Sequence, residues 1–101
     1  MLIKSVVLEE QKRNEEMILA YEKGLKILPR GNLSIKKIGN NEYYYLKYRS
    51  DKKIVTDYIG KDKEKISEIQ EQIKRRKHYE NLLTALIKEQ KIISKILGGL
   101  E

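Results

Sequence analysis

The sequence predicts an α+β fold: a helix, a three-stranded antiparallel β-meander and a long second helix, with the two helices paired as an antiparallel coiled-coil hairpin. Three observations predict it. Apolar stripes at helical spacing occupy residues 3–28 and 62–98. The run Pro29-Arg30-Gly31-Asn32 stops the first of them. Residues 32–60 form short runs rich in Tyr, Ile and Val, broken by two turn signals.

In the first helix Val7, Gln11, Asn14, Ile18, Tyr21, Leu25 and Leu28 recur at alternating spacings of four and three, with Val6 and Met17 widening the stripe. Gly24 weakens it. The first strand, residues 33–38, ends in Gly39-Asn40-Asn41, residue types that tolerate positive φ and suit a tight hairpin. The second strand, 42–49, is favoured by its tyrosines. Ser50-Asp51-Lys52 makes the next turn, and residues 53–59 the third strand. Connections this short permit only antiparallel pairing.

Asp62 then caps the second helix, its carboxylate accepting from free first-turn amides. No Pro or Gly follows until Gly98-Gly99. About 36 helical residues span ~54 Å. The seam runs through Ile66, Ile69, Ile73, Tyr79, Leu83, Leu86, Gln90, Ile93, Leu97 and Leu100. So long an amphipathic helix needs a partner, and the first helix is the nearest.

Pairing that begins where the meander ends brings Leu28 level with Ile66, Gln11 with Leu83, Asn14 with Glu80 and Ile18 with Arg76. Asn14, Arg76 and Glu80 then form a polar layer that either fixes register or snorkels out of the seam. The stripe containing Leu82, Leu86, Ile93 and Leu97 is broader than the first helix can cover, which predicts a homodimer interface there. The monomeric alternative folds residues 1–8 back over residues 93–100.

A chain of 101 residues is one domain's worth and can bury only a modest core. The absence of Cys excludes disulfides and thiolate metal sites. Val6-Val7-Leu8 is too short for a signal-peptide core, and no stretch approaches a membrane span, so a cytoplasmic protein with no membrane contact is expected. The net charge of +7 is unevenly placed: residues 29–65 hold ten Lys/Arg against five Asp/Glu, whereas residues 1–28 are neutral. A basic patch of this kind attracts polyanions. The alternative is that the lysines serve solubility alone.

Catalytic signals are absent. His78, the sole histidine, lies in Lys74-Arg75-Arg76-Lys77-His78, a solvated helix face with no second ligand, whereas a metal site needs several. The serines lack a histidine partner, and the glycines form no phosphate loop. Asp57 and Asp62 are isolated carboxylates among lysines. A non-enzymatic chain with no cofactor and no metal is expected.

The second strand carries Tyr43-Tyr44-Tyr45-Leu46-Lys47-Tyr48-Arg49. Alternation sends Tyr43, Tyr45, Lys47 and Arg49 to one side, and Tyr44, Leu46 and Tyr48 to the other. The second set contains Leu46 and should meet the helices. The first set, joined by Lys36, Lys37 and Lys53 from the neighbouring strands, then forms a candidate nucleic-acid-binding face, with cations for phosphate and rings for bases. The competing reading is that cross-strand tyrosine pairs merely stabilise a small sheet, by roughly 0.2–1 kcal/mol each.

The run Ser34-Ile35-Lys36-Lys37-Ile38-Gly39-Asn40, with Tyr43-Tyr44-Tyr45-Leu46-Lys47-Tyr48-Arg49, Lys52-Lys53 and Tyr58-Ile59-Gly60-Lys61, resembles the AP2-like arm-binding domain of tyrosine recombinases over about a third of the chain. That likeness implies a sheet lying in the DNA major groove with a helix behind it. The chain departs from the family in its first helix, in the length of its last one, and in having no recombinase catalytic domain. Leu28-Pro29-x-Gly31, the tyrosine run, Lys52-Lys53 and Tyr58-Ile59-Gly60-Lys61 are also similar to small uncharacterised proteins of low-GC Gram-positive bacteria and their mobile elements. That likeness implies no activity, but it opens a second class of partner. A small phage or mobile-element protein of this shape could dock on and regulate a larger host protein or nucleoprotein complex, as anti-CRISPR proteins do. The expected partner is therefore DNA or RNA, or such a complex.

Overall fold

The computed structural model describes residues 2–100. Its elements are α1 (Leu2–Ile27), β1 (Asn32–Ile38), β2 (Asn41–Ser50), β3 (Lys53–Gly60) and α2 (Lys63–Leu100), and the three strands form one antiparallel sheet in the order β1-β2-β3. The class is α+β as expected, with element ends within two residues of those read from the sequence. The chain forms two compact units, one of residues 28–77 and one of the helical stretches up to 27 and from 78.

In the sheet unit, two-residue loops set the pairing. Ile38 opposes Asn41 across Gly39-Asn40, where Gly39 takes φ 63°. Ser50 opposes Lys53 across Asp51-Lys52, and both loop residues have positive φ (46° and 70°), the pattern of a type I′ turn. Gly31, at φ 98°, lets the chain pass the backbone of β2: a Cβ there would lie 2.0 Å from the Lys47 carbonyl oxygen. The first turns of α2 supply the apolar cover of the sheet. Ile66 is buried and Ile69 and Ile73 half-buried, with Tyr44 beside Ile66 and Leu33 beside Ile73. Asp62 caps this helix as expected, its Oδ1 accepting from the Glu64 amide at 3.0 Å. Arg76 Nη1 donates to the carbonyl of Leu28 at 2.9 Å, a cation meeting the carbonyls that a helix end exposes.

In the helical unit, Val7, Gln11, Asn14, Ile18, Tyr21 and Leu25 all avoid full exposure, so the spacing of four and three is the packing seam. Ile18, Leu86, Ile93 and Leu97 form its buried apolar core. Antiparallel pairing follows from Asn14 Nδ2 donating to the Leu86 carbonyl at 2.9 Å, from Arg13 lying 3.7 Å from Glu89, and from the edge-to-face Tyr21–Tyr79 pair at 5.0 Å. Gly24 has a packing role: a Cβ there would meet the Tyr79 ring at 2.7 Å.

The register differs from the expected one. Asn14 meets Leu86 and not Glu80, because residues 63–77 of α2 are engaged with the sheet and α1 pairs with the following stretch. Asn14 is therefore not level with Glu80, as the expected layer required. Asn14 is fully buried and does not snorkel, Arg76 reaches Leu28, and Glu80 is exposed. The same register places the residues expected at a dimer interface. Leu86, Ile93 and Leu97 are buried within the chain and Leu82 is half-buried, since α1 extends along α2 far enough to cover them. Of the segment expected to fold back over residues 93–100, Met1 lies outside the described residues, and Leu2 onward belongs to α1.

Candidate nucleic-acid interface

The pairing register assigns every strand side chain to a face, because partners across an antiparallel ladder point the same way. Lys36 opposes Tyr43, Ser34 opposes Tyr45, and Asn32 opposes Lys47. On the other side Tyr45 opposes Tyr58, Lys47 opposes Thr56, and Arg49 opposes Ile54. These residues share one face. The opposite face carries Leu33 and Tyr44, each lining a hollow with α2 residues, and also Leu46, Tyr48, Val55, Glu42 and Asp57.

On the first face Tyr58 is the hub of a ring cluster, its centroid 5.4 Å from Tyr45 and 6.4 Å from Tyr43, with ring planes tilted by 60° and 40°. Such offsets are those that aromatic quadrupoles favour. Tyr43 and Tyr45 are half-buried by their neighbours, whereas Tyr58 is 61% exposed. Lys36 Nζ stands 6.0 Å from the Tyr45 ring centre and Lys61 Nζ 5.2 Å from that of Tyr43, both within cation–π range. Beside Tyr45 is a hollow of about 180 Å³ lined by Ser34, Lys36, Tyr45, Lys47 and Thr56.

Lys61 reaches this face through an irregularity. Tyr45 opposes Tyr58 but Tyr44 opposes Gly60, so Ile59 is an extra residue in β3, a β-bulge. Past it the ladder is offset by one, and Lys61 falls level with Tyr43. Gly60 adopts φ 113° there, a conformation open to glycine.

The sorting of charge is clear-cut. The tyrosine face presents Lys36, Lys47, Arg49 and Lys61 and no carboxylate. The strand carboxylates Glu42 and Asp57 lie on the other side, where Lys37 opposes Glu42. Asp57 accepts a hydrogen bond from the Tyr48 hydroxyl, which holds that phenol above its ordinary pKa of 10.0; the nearby Arg30, 5.8 Å from the Tyr48 ring, pulls the other way.

The structure thus brings together Lys36, Tyr43, Tyr45, Lys47 and Arg49 of the residues expected from sequence. Lys37 and Lys53 are corrected: they lie on the opposite face, level with Glu42 and Ser50. Strand parity counted outward from each two-residue loop decides this. The same count from Asp51-Lys52 places Tyr58 opposite Tyr45, a member that sequence reading missed. Among the described residues no three His, Cys, Asp or Glu side chains gather to hold a metal, and no helix is long and apolar enough to cross a membrane.

No curated protein matches the chain, and no solved structure matches it. The model of one family, a domain of unknown function designated DUF6788, matches residues 7–71, which include the whole sheet; the chain belongs to that family.

Proposed function

We propose that the chain is a non-enzymatic nucleic-acid-binding module and that the tyrosine face of its sheet is the contact surface. One observation carries the reading: four cations share a face with three clustered rings and no strand carboxylate, while the acidic strand residues sit on the other side. Cations neutralise phosphates and fix the position of the chain on the ligand, and rings engage bases or sugars. The layout implied by the arm-binding resemblance, a three-stranded sheet with a helix behind it, is compatible with this use.

The test is binding to labelled DNA and RNA as a function of salt. Replacing Lys47 and Arg49 with Ala should weaken binding to every sequence and reduce the slope of log affinity against log salt by about one to two units. Absence of binding to any nucleic acid at low salt would overturn the proposal. A docking role on a larger protein has its own support in the helical unit, where Ile3, Val6, Ile92 and Ile96 are 61%, 51%, 58% and 45% exposed. Under that reading the sheet variants would leave binding to the protein partner unchanged.

A further inference from the structure

We infer that the nucleic acid is single-stranded, with a base stacked on Tyr58 and an adjacent phosphate in the hollow formed by Ser34, Lys36, Lys47 and Thr56. This rests on the proposed nucleic-acid reading and narrows it to one class of ligand. A sheet that reads a duplex groove needs donors and acceptors at its centre to reach base edges, with cations at the margins for the two backbones. Here the centre is aromatic: Tyr43, Tyr45 and Tyr58 occupy adjoining positions on β2 and β3. In a duplex each base is covered by its stacked neighbours, so a ring gains little there. An unpaired base offers a free face.

Tyr58 is the ring placed to use it. It is 61% exposed, and its contacts with Tyr45 and Tyr43 are tilted, which braces the ring from below and leaves it accessible. The hollow lies one position away, on the far side of Tyr45, and its lining fits a phosphate diester. Lys36 and Lys47 supply positive charge from β1 and β2, and the hydroxyls of Ser34 and Thr56 can donate to phosphate oxygens from opposite edges. Its volume of about 180 Å³ admits a phosphate and is too small for a base pair. Lys61, at the other end of the ring row, continues the cationic path.

The experiment is fluorescence anisotropy at low salt with labelled oligothymidylate, oligouridylate and a duplex of equal length, using the full chain. The thymidylate and uridylate arms separate DNA from RNA as the source of the strand. The single strands should bind about tenfold or more tightly than the duplex. Tyr58→Ala should weaken single-strand binding about tenfold and leave duplex binding within about twofold. Tyr58→Phe should retain single-strand affinity. The paired substitution Ser34→Ala with Thr56→Val should lower it several-fold with unchanged circular dichroism. Duplex binding as tight as single-strand binding, or an unaltered Tyr58→Ala variant, overturns the inference while the nucleic-acid reading stands. An unaltered hydroxyl variant removes the phosphate subsite. Failure of all three oligonucleotides to bind overturns both.

Discussion

The helical unit and the sheet unit use their large side chains in opposite ways. In the helical unit Ile18, Leu86, Ile93 and Leu97 are each under a tenth exposed and lie along a single seam. In the sheet unit Ile66 alone among the large apolar residues reaches that depth, while Tyr58 and Ile54 on the outer face are 61% and 72% exposed. Burial of apolar area is the main source of folding free energy, at roughly 25 cal/mol per Å². The seam is thus where stability is concentrated, and the tyrosine face is where large side chains are kept in water. Substitutions should be costly for the fold in the first and cheap in the second.

The sharpest way to break that contrast is a position where the sheet unit is intolerant for backbone reasons. Gly31→Ala places a Cβ 2.0 Å from the Lys47 carbonyl at φ 98°. It should cost about 3 kcal/mol or more, read by urea denaturation followed by circular dichroism. A loss below about 1 kcal/mol would mean that the chain does not pass β2 this closely. A smaller effect of opposite sign is expected in the seam. Asn14 Oδ1 is buried without a hydrogen-bond partner, so Asn14→Leu should stabilise by about 1–2 kcal/mol. Destabilisation by that variant would show that the amide's bond to Leu86 outweighs its orphaned oxygen. The smallest effect belongs to the second hairpin. Lys52 sits at φ 70° in a loop that favours glycine, and Lys52→Gly should add about 0.5–1 kcal/mol. A decrease would argue against the I′ geometry.

What could be read from sequence divides along the same line. The helices, strands and turns were legible because their signals are local: a spacing of four and three, a Pro–Gly stop, an Asp cap, short loops. The seam of α1 was legible residue by residue. Its partner residues on α2 were not, because the claim of the sheet on Ile66, Ile69 and Ile73 is a tertiary fact that no periodicity records. On the sheet, Tyr43, Tyr45, Lys47 and Arg49 followed from alternation along one strand. Lys37 and Lys53 were misplaced because the face of a neighbouring strand depends on cross-strand parity. Lys61 lay beyond even that count, since the bulge interrupts it.

That single extra residue makes the charge of the tyrosine face depend on how the backbone of β3 pairs. Were Ile59 to take a regular place opposite Tyr44, Gly60 would fall level with Tyr43 and Lys61 with Glu42, so the face would lose one of its four cations with none gained. Deleting Ile59 would instead leave an unbroken ladder with Lys61 still level with Tyr43. A change that abolishes the bulge while keeping its residue therefore acts as a charge substitution on this face without altering any charged residue.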